Sequence, residues 1–318
     1  MDDLYEAVGA ATHAPSVHNT QPWRFAVQDE GVTLRADAAR RLDTVDPRGR
    51  EMLIGCGAAL GTLRLAVRAA GREERTRLLP DPDRPHLLAE VERGAARPPE
   101  PSDLRLFAQV RTRRTHRGGF LAEDVPAALI AELVRDADLE GARLVPVSDA
   151  ADRAALAALT QVAEHVLGRV PALARELARW APAPGSSRAD GVHPGAYPAA
   201  PARTEPHFPA RDFARGRAWG AADDPGDGTG AVLLLTTTGD DPADWLRAGQ
   251  ALQRVLLRAA DAGLAAAFHT QALELDDLRA FLERHFTGGA HAQMLLRVGR
   301  TGTAPPPPVR RPLADVLD

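Results

Sequence analysis

The stretch Ala14-Pro15-Ser16-Val17-His18-Asn19-Thr20-Gln21-Pro22-Trp23-Arg24-Phe25 is the most specific part of the sequence. Its short hydroxyl and amide side chains and its backbone N–H groups offer hydrogen-bond donors and acceptors in a small space. Such groups suit the heteroatom-rich edge of a planar ring better than a point charge. Because proline disfavours helix in the preceding residue, the loop separates a predicted helix at 3–13 from a predicted strand at 23–27. The alternative is an ordinary turn or helix cap built from serine and asparagine.

A second segment, Arg113-Arg114-Thr115-His116-Arg117, concentrates arginine around one hydroxyl. Guanidinium groups at this spacing can surround a phosphate with forked donors. The alternative is a solvated basic run, because all 39 basic residues of the chain are arginine. The lack of lysine also excludes a Schiff-base nucleophile.

The composition, 318 residues with 44% hydrophobic and 26% charged residues, is typical of a soluble globular protein. A net charge of −4 gives no overall attraction to nucleic acid or to an anionic membrane. No continuous apolar run is long enough for a membrane span, and the acidic N-terminus does not resemble a secretory signal. The single cysteine, Cys56, excludes an internal disulfide framework and a cysteine-based zinc site. These features predict a cytoplasmic protein, and no set of histidines has the spacing of a metal site.

Hydrophobic periodicity and turn residues predict the remaining elements. A strand at 32–36 and a helix over about 50–70 precede a Pro-rich connector at 80–105. Further along, the pattern predicts helices at 126–136, 150–180, 242–262 and 275–285 and strands at 231–237, 264–268 and 292–298. Residues 181–228 have little periodicity, and a structureless segment of this length indicates a functional lid or a disordered insert.

Two helical stretches, 57–71 and 249–263, form a weak internal repeat, since each begins and ends with glycine and follows a strand and an Asp-Pro pair. Two ordinary Ala/Leu helices are the alternative to duplication. The run Gly55-Cys56-Gly57-Ala58-Ala59-Leu60-Gly61 resembles a dinucleotide-binding loop, but a true fingerprint follows a longer strand. Close packing of this helix at an interface between two halves is the better interpretation.

Three of these segments resemble the nitroreductase superfamily. The pattern Pro-Ser-x-x-Asn-x-Gln-Pro-Trp-x-Phe at 15–25 is similar to the loop that contacts FMN from the opposite subunit of the family's dimer. The segment 113–117 is similar to the family's Arg-x-Ser-x-Arg clamp, with threonine for serine and arginine where lysine is common. The chain from 232 to 299 and the tail 310–313 resemble the core helix, the following strand and the terminal arginine.

The loop precedes the clamp here, which reverses the family's usual order. This arrangement resembles the fused Acg-type subgroup, in which two half-domains act as a pseudo-dimer and a lid covers the flavin; 188–194 is similar to that lid. The resemblance implies an α+β fold, a nitroreductase-like α/β sandwich with half-domains at 1–100 and 101–318 and a lid insert at 181–228. Because the dimer is internal, a monomer is possible.

By the same resemblance the chain is an FMN-dependent enzyme that takes hydride from NADH or NADPH and passes it to a nitroaromatic, a quinone or a related small acceptor in a ping-pong cycle. No dedicated catalytic side chain is needed, because the cofactor performs the redox chemistry. Arg117 is expected to stabilise negative charge on the reduced flavin. The alternatives are a flavin-sequestering protein without turnover and a dehydrogenase that tailors a natural product. The cofactor-binding residues implied are Pro15, Ser16, Asn19, Gln21, Arg113, Arg114, Thr115, Arg117, Phe268, Thr270, Gln271, Arg310 and Arg311.

Overall fold

The computed structural model describes residues 1–200, 203–222, 226–304 and 306–318. An antiparallel sheet in the first part of the chain has four strands in the order β1-β2-β4-β3. These strands are β1 (Trp23–Gln28), β2 (Gly31–Ala36), β3 (Arg72–Leu78) and β4 (Leu87–Ala96). The predicted hairpin of β1 and β2 is confirmed.

A second antiparallel sheet has the order β5-β6-β8-β7. Its strands are β5 (Arg143–Val147), β6 (Ala231–Thr237), β7 (Ala265–Phe268) and β8 (His291–Gly299). The order of strands is the same in both sheets, and in each a 20-residue helix lies between the second and third strands. This shared topology supports duplication, while the boundary between 100 and 101 stays a prediction.

Nine α-helices lie within the described residues. They are α1 (Asp2–Ala11), α2 (Arg50–Ala69), α3 (Pro101–Ala108), α4 (Ala127–Leu139), α5 (Ala150–Leu167), α6 (Pro171–Trp180), α7 (Pro242–Asp261), α8 (Asp276–Phe286) and α9 (Leu313–Val316). Among the described helices, only α2 is long and apolar enough to cross a membrane, and most of it is buried inside the protein. That burial is typical of the core helix of a globular protein.

Helices α2 and α7 cross in backbone contact at Gly57 and Gly249. A Cβ on Gly57 would lie 2.3 Å from the carbonyl oxygen of Leu246, and one on Gly249 would lie 2.1 Å from that of Ile54. No side chain fits at either position, so the backbones approach as only glycine allows. The prediction that this glycine-rich stretch serves close helix packing is confirmed.

Two predictions for regular elements are wrong. The connector at 80–105 contains β4 and the start of α3 instead. β4 is hard to recognise because its second half consists of charged and small residues and is partly exposed. The single helix predicted over 150–180 is two helices, α5 and α6, interrupted between Gly168 and Val170. Pro171 begins the second helix, where a missing N–H costs nothing.

The segment from 181 to 228 has no α-helix or β-strand among its described residues, as predicted. Residues 201–202 and 223–225 of the predicted lid lie outside the described residues. At the C-terminus the chain returns to the first sheet. Leu317 bridges to Phe25, and the N–H of Asp318 donates to the carbonyl of Phe25 at 2.8 Å. The tail therefore crosses from the second sheet to the first, next to the loop at 15–22.

Candidate functional site

Segments from both parts of the chain converge on one cavity of about 230 Å³. Its lining comes from the loop at 15–19, the start of α2, the segment 113–117, the residues after β7, and the tail at 306–310. Residues 191–196 and 210–213 of the 181–228 segment also line it. The loop and α2 belong to the first part of the chain and the rest to the second. The cavity therefore lies where the two parts meet.

Ten of the thirteen residues predicted to bind the cofactor line this cavity. They are Pro15, Ser16, Asn19, Arg113, Thr115, Arg117, Phe268, Thr270, Gln271 and Arg310. The structure thus brings together segments that are about a hundred or more residues apart in sequence. Their role in binding a cofactor stays a prediction.

Gln21, Arg114 and Arg311 are not part of the lining. Gln21 is fully buried, and its Nε2 donates to the carbonyl of Ala189 at 2.8 Å. Its Oε1 accepts from the backbone N–H of Arg311 at 2.8 Å. Arg114 turns its Nη1 to the carbonyl of Arg111 at 2.6 Å. Gln21 and Arg311 thus hold the loop, the 181–228 segment and the tail to one another, whereas Arg114 bonds only within its own segment.

Two cations that line the cavity, Arg113 and Arg310, have no acidic partner within the part of the chain that the structure describes. Burial lowers the pKa of Arg113 to about 10 and that of Arg310 to about 9. The Nε and Nη1 atoms of Arg113 and the Nε of Arg310 are buried without a hydrogen bond. Among the described residues no carboxylate forms an ion pair with either side chain. Buried unpaired charge is costly, so an anion bound here would relieve that cost.

Arg117 is another cation that lines the cavity. Its Nη1 donates to the carbonyl of Ala196 at 3.1 Å, and its guanidinium lies over the ring of Phe213, 5.7 Å from the ring centroid. Burial lowers its pKa to about 10. Both of these partners belong to the 181–228 segment, so Arg117 joins the cavity wall to that segment.

Asn19 connects three segments through its amide. Its Nδ2 donates to the carbonyls of Gly191 at 3.0 Å and Val309 at 3.2 Å. Its Oδ1 accepts from the Nη1 of Arg310 at 2.8 Å. Asn19 adopts φ 55°, a conformation that asparagine tolerates better than most residues. Its side chain lines the cavity, but both donors and one acceptor position are already used by the protein.

Four further lining residues, Glu51, Arg211, Phe213 and Met294, were not predicted from sequence. Arg211 donates to both carboxylate oxygens of Glu274 at 2.7 Å, and the two side chains are only 7% and 1% exposed. This buried ion pair holds the 181–228 segment against the short turn that follows β7. No motif in the sequence points to these residues, because Glu51 lies in a helix, Met294 in a strand, and Arg211 and Phe213 in the irregular 181–228 segment.

Two histidines of the lining, His18 and His269, have pKa values well below the ordinary value because burial disfavours the charged ring. The Nε2 of His269 accepts from the Nε of Arg297 at 2.8 Å. Its Nδ1 therefore carries the proton, which it donates to the carbonyl of Pro209 at 3.2 Å. Both rings are neutral parts of the wall. The described residues contain no group of three His, Cys, Asp or Glu side chains that could hold a metal ion.

No family model matches the sequence. Relatives from Mycobacterium tuberculosis H37Rv match over nearly the whole chain. The provisionally named NAD(P)H nitroreductase Rv3131 is 36% identical over 322 residues, which span 97% of this chain and 89% of the relative. The provisionally named NAD(P)H nitroreductase Acg is 32% identical over 320 residues, 99% of this chain and 95% of the relative.

Solved structures are more distant. A nitroreductase with bound FMN from Desulfitobacterium hafniense DCB-2 is 15% identical, with a TM-score of 0.41 over 65% of this chain and 94% of that one. A similarity at this level carries no conclusion about the site.

Proposed function

The chain belongs to the family of Acg-type NAD(P)H nitroreductase-like proteins, and from that premise we propose that it is an FMN-dependent oxidoreductase that uses NADH or NADPH to reduce a small organic acceptor. The observation that carries the proposal is the pair Arg113 and Arg310 beside the loop at 15–19, whose guanidinium groups include buried N–H groups with no acidic partner among the described residues. FMN, with a phosphate at one end and a planar heteroatom-rich ring at the other, fits both features.

The residues present fit the two ends of FMN. Arg113 and Arg310 would hold the phosphate, since unbonded guanidinium N–H groups form strong hydrogen bonds with it. The ring would lie toward the apolar side chains of Ile54, Leu252 and Phe268, which line the same cavity. Gln271 also lines the cavity, and its Nε2 donates to the carbonyl of Pro209 at 3.2 Å. When bound, FMN supplies the hydride chemistry, accepting hydride from a nicotinamide and passing it to an acceptor.

The chain's own contribution is binding, charge and exclusion of water. Arg117 would place positive charge where negative charge develops on the ring. Donor and acceptor would use the same cavity in turn, which gives a ping-pong cycle. A nitroaromatic or a quinone is the acceptor class that we propose, because both are small planar molecules. We further propose half-domains at 1–100 and 101–318, a monomer with an internal pseudo-dimer, and a cytoplasmic location.

A second candidate function is FMN sequestration without turnover. It is favoured by the buried ion pair of Arg211 and Glu274, which holds the 181–228 segment over the cavity. A segment that does not open would keep nicotinamide away from the cavity.

The absorbance spectrum of the purified protein, before and after addition of FMN, tests cofactor binding directly. Steady-state oxidation of NADH and NADPH with a quinone or a nitroaromatic then separates the two functions. Bound flavin with turnover supports the enzyme, and bound flavin without turnover supports sequestration. A protein that binds no flavin would contradict both.

A further inference from the structure

Glu51, in the first turn of α2, is the one carboxyl group among the described residues that line the cavity. The other charged residues of the lining are the arginines at 113, 117, 211 and 310. Glu51 is 5% exposed, so it has little contact with bulk water. The proposed mechanism gives it no role, although removing an acid from water is costly.

The Glu51 carboxyl is held at one oxygen and open at the other. Its Oε1 accepts from the Nη2 of Arg50 at 3.2 Å. Arg50 is itself fixed, because its Nη1 donates to the carbonyl of Gln293 on β8 at 2.7 Å. No other described residue donates a hydrogen bond to this carboxyl. The second oxygen is therefore available to a molecule in the cavity.

We propose that Glu51 is the proton donor to the electron acceptor, delivering a proton from its carboxyl as hydride reaches a quinone bound in the cavity. This rests on the proposed function. The quinone takes one hydride, which carries two electrons, and one proton, and becomes a hydroquinone. The O–H bond of Glu51 breaks as a new O–H bond forms on a quinone oxygen, and the carboxylate then regains a proton from water. The sum is NAD(P)H + quinone + H⁺ → NAD(P)⁺ + hydroquinone.

Burial and two nearby carboxylates favour a neutral Glu51 carboxyl at neutral pH. Burial is the largest influence and the nearby carboxylate of Glu274 the next, and together they raise the pKa of Glu51 to about 8. Asp46, in the loop before α2, raises it further, while Arg50 and Arg211 lower it in part. A carboxylic acid with a pKa near the working pH is an effective general acid.

Three of the four histidines that line the cavity are poorer proton donors. His18 and His269 have pKa values well below the ordinary value and are neutral. The Nε2 of His116 lies 2.8 Å from the carbonyl of Gly119 and is engaged with the backbone. His193 is the remaining histidine of the cavity. The experiment therefore tests it as the alternative proton donor to Glu51.

The test uses FMN-loaded protein, reduced before mixing, and follows reoxidation of the flavin by stopped flow. The two acceptors are 1,4-benzoquinone, which takes up protons, and ferricyanide, which takes an electron and no proton. For the parent, the rate with benzoquinone should fall as pH rises through about 8. Glu51→Gln should slow this reaction about 100-fold at neutral pH and remove its pH dependence. The factor by which Glu51→Gln slows flavin reoxidation by ferricyanide should be at least tenfold smaller than the factor for benzoquinone.

Two isosteric variants are the controls. Asp46→Asn keeps an oxygen to accept from the N–H of Met52, as Asp46 does at 2.8 Å, but removes a negative charge near Glu51. This variant should shift the pH dependence of the rate with benzoquinone to lower pH without removing it. His193→Gln should leave the profile in place. If the pH dependence disappears in either control and persists in Glu51→Gln, the inference is wrong.

Infrared spectroscopy gives a readout without turnover. The parent at neutral pH should show the carbonyl band of a protonated carboxylic acid that is missing in Glu51→Gln. Absence of that band in the parent would overturn the inference. Failure of the proposed function looks different, because the parent's flavin would then not be reduced by NADH or NADPH at all.

Discussion

The Oδ1 of Asn19 accepts a hydrogen bond from the Nη1 of Arg310 at 2.8 Å, although 291 residues separate them in sequence. Arg310 is also held by the carbonyl of Ala14 at 3.0 Å, so the loop fixes the cation from two sides. The most specific motif of the sequence therefore positions a cation that faces the cavity. Its asparagine is joined by the same amide to the 181–228 segment and to the tail.

Asn19→Asp should weaken FMN binding, because the new carboxylate would pair with Arg310 and compete with the phosphate. The loss of one charged hydrogen bond corresponds to about 1.5–3 kcal/mol, or about ten- to a hundredfold in affinity. Fluorescence titration of the apoprotein with FMN measures it. Unchanged affinity with a shifted flavin reduction potential would instead indicate direct contact of Asn19 with the flavin.

Arg113→Ala should lower FMN affinity about ten- to a hundredfold through the phosphate. Riboflavin, which lacks the phosphate, should bind the variant and the parent almost equally. The matched control is Arg114→Ala, since Arg114 is outside the cavity and bonds to backbone carbonyls. An equal loss of riboflavin affinity in Arg113→Ala would mean that Arg113 is structural.

Each chain should bind one FMN. The arginine clamp occurs once, at 113–117, whereas the first sheet and its helices carry the loop but no second clamp. Release of flavin by denaturation, followed by absorbance against protein concentration, gives the ratio. A value near two flavins per chain would show that the pseudo-symmetric position is also a site.

Gly57→Ala should destabilise the protein by about 1–3 kcal/mol, because its Cβ would lie 2.3 Å from the carbonyl of Leu246. The matched control is Gly9→Ala in α1, where nothing lies within 4 Å of the new Cβ. In that helix interior the change should stabilise by roughly 0.5–1 kcal/mol. Urea unfolding of both variants measures the difference. Equal stability of the two would contradict the backbone contact between α2 and α7.

The stability of the parent relative to Glu51→Gln should depend on pH. The pKa of Glu51 is raised in the folded protein to about 8 from an ordinary value of 4.5, so the folded state binds this proton more tightly. The contribution of this bound proton to the free energy of unfolding is fully present below pH 4.5 and is lost as pH rises to about 8. Melting temperatures across this range should fall for the parent relative to the variant. If the melting temperatures of the parent and of Glu51→Gln change with pH in parallel, Glu51 is ionised across this pH range.

Local patterns in the sequence determined much of the fold. The hairpin at 23–36 has a turn between two strand-like runs, α2 and α7 carry helical periodicity and glycine ends, and β6 and β8 are largely apolar runs that are buried along their length. All of these elements form as predicted. The loop motif and the arginine segment also identified six of the residues that line the cavity, and the resemblance of the C-terminal segments identified four more. Local hydrogen bonding and side-chain spacing suffice for these features, because they depend on neighbours in sequence.

Only the tertiary structure decided which side chains face the cavity. Arg113 and Arg114 are adjacent, yet one is buried at the cavity and the other bonds to backbone outside it. Glu51 has the sequence environment of an ordinary first helical turn, yet it is 5% exposed and lies near the charges of Glu274 and Arg211, which are far from it in sequence. Burial and charge depend on contacts between residues far apart in the chain, and no local pattern records those contacts.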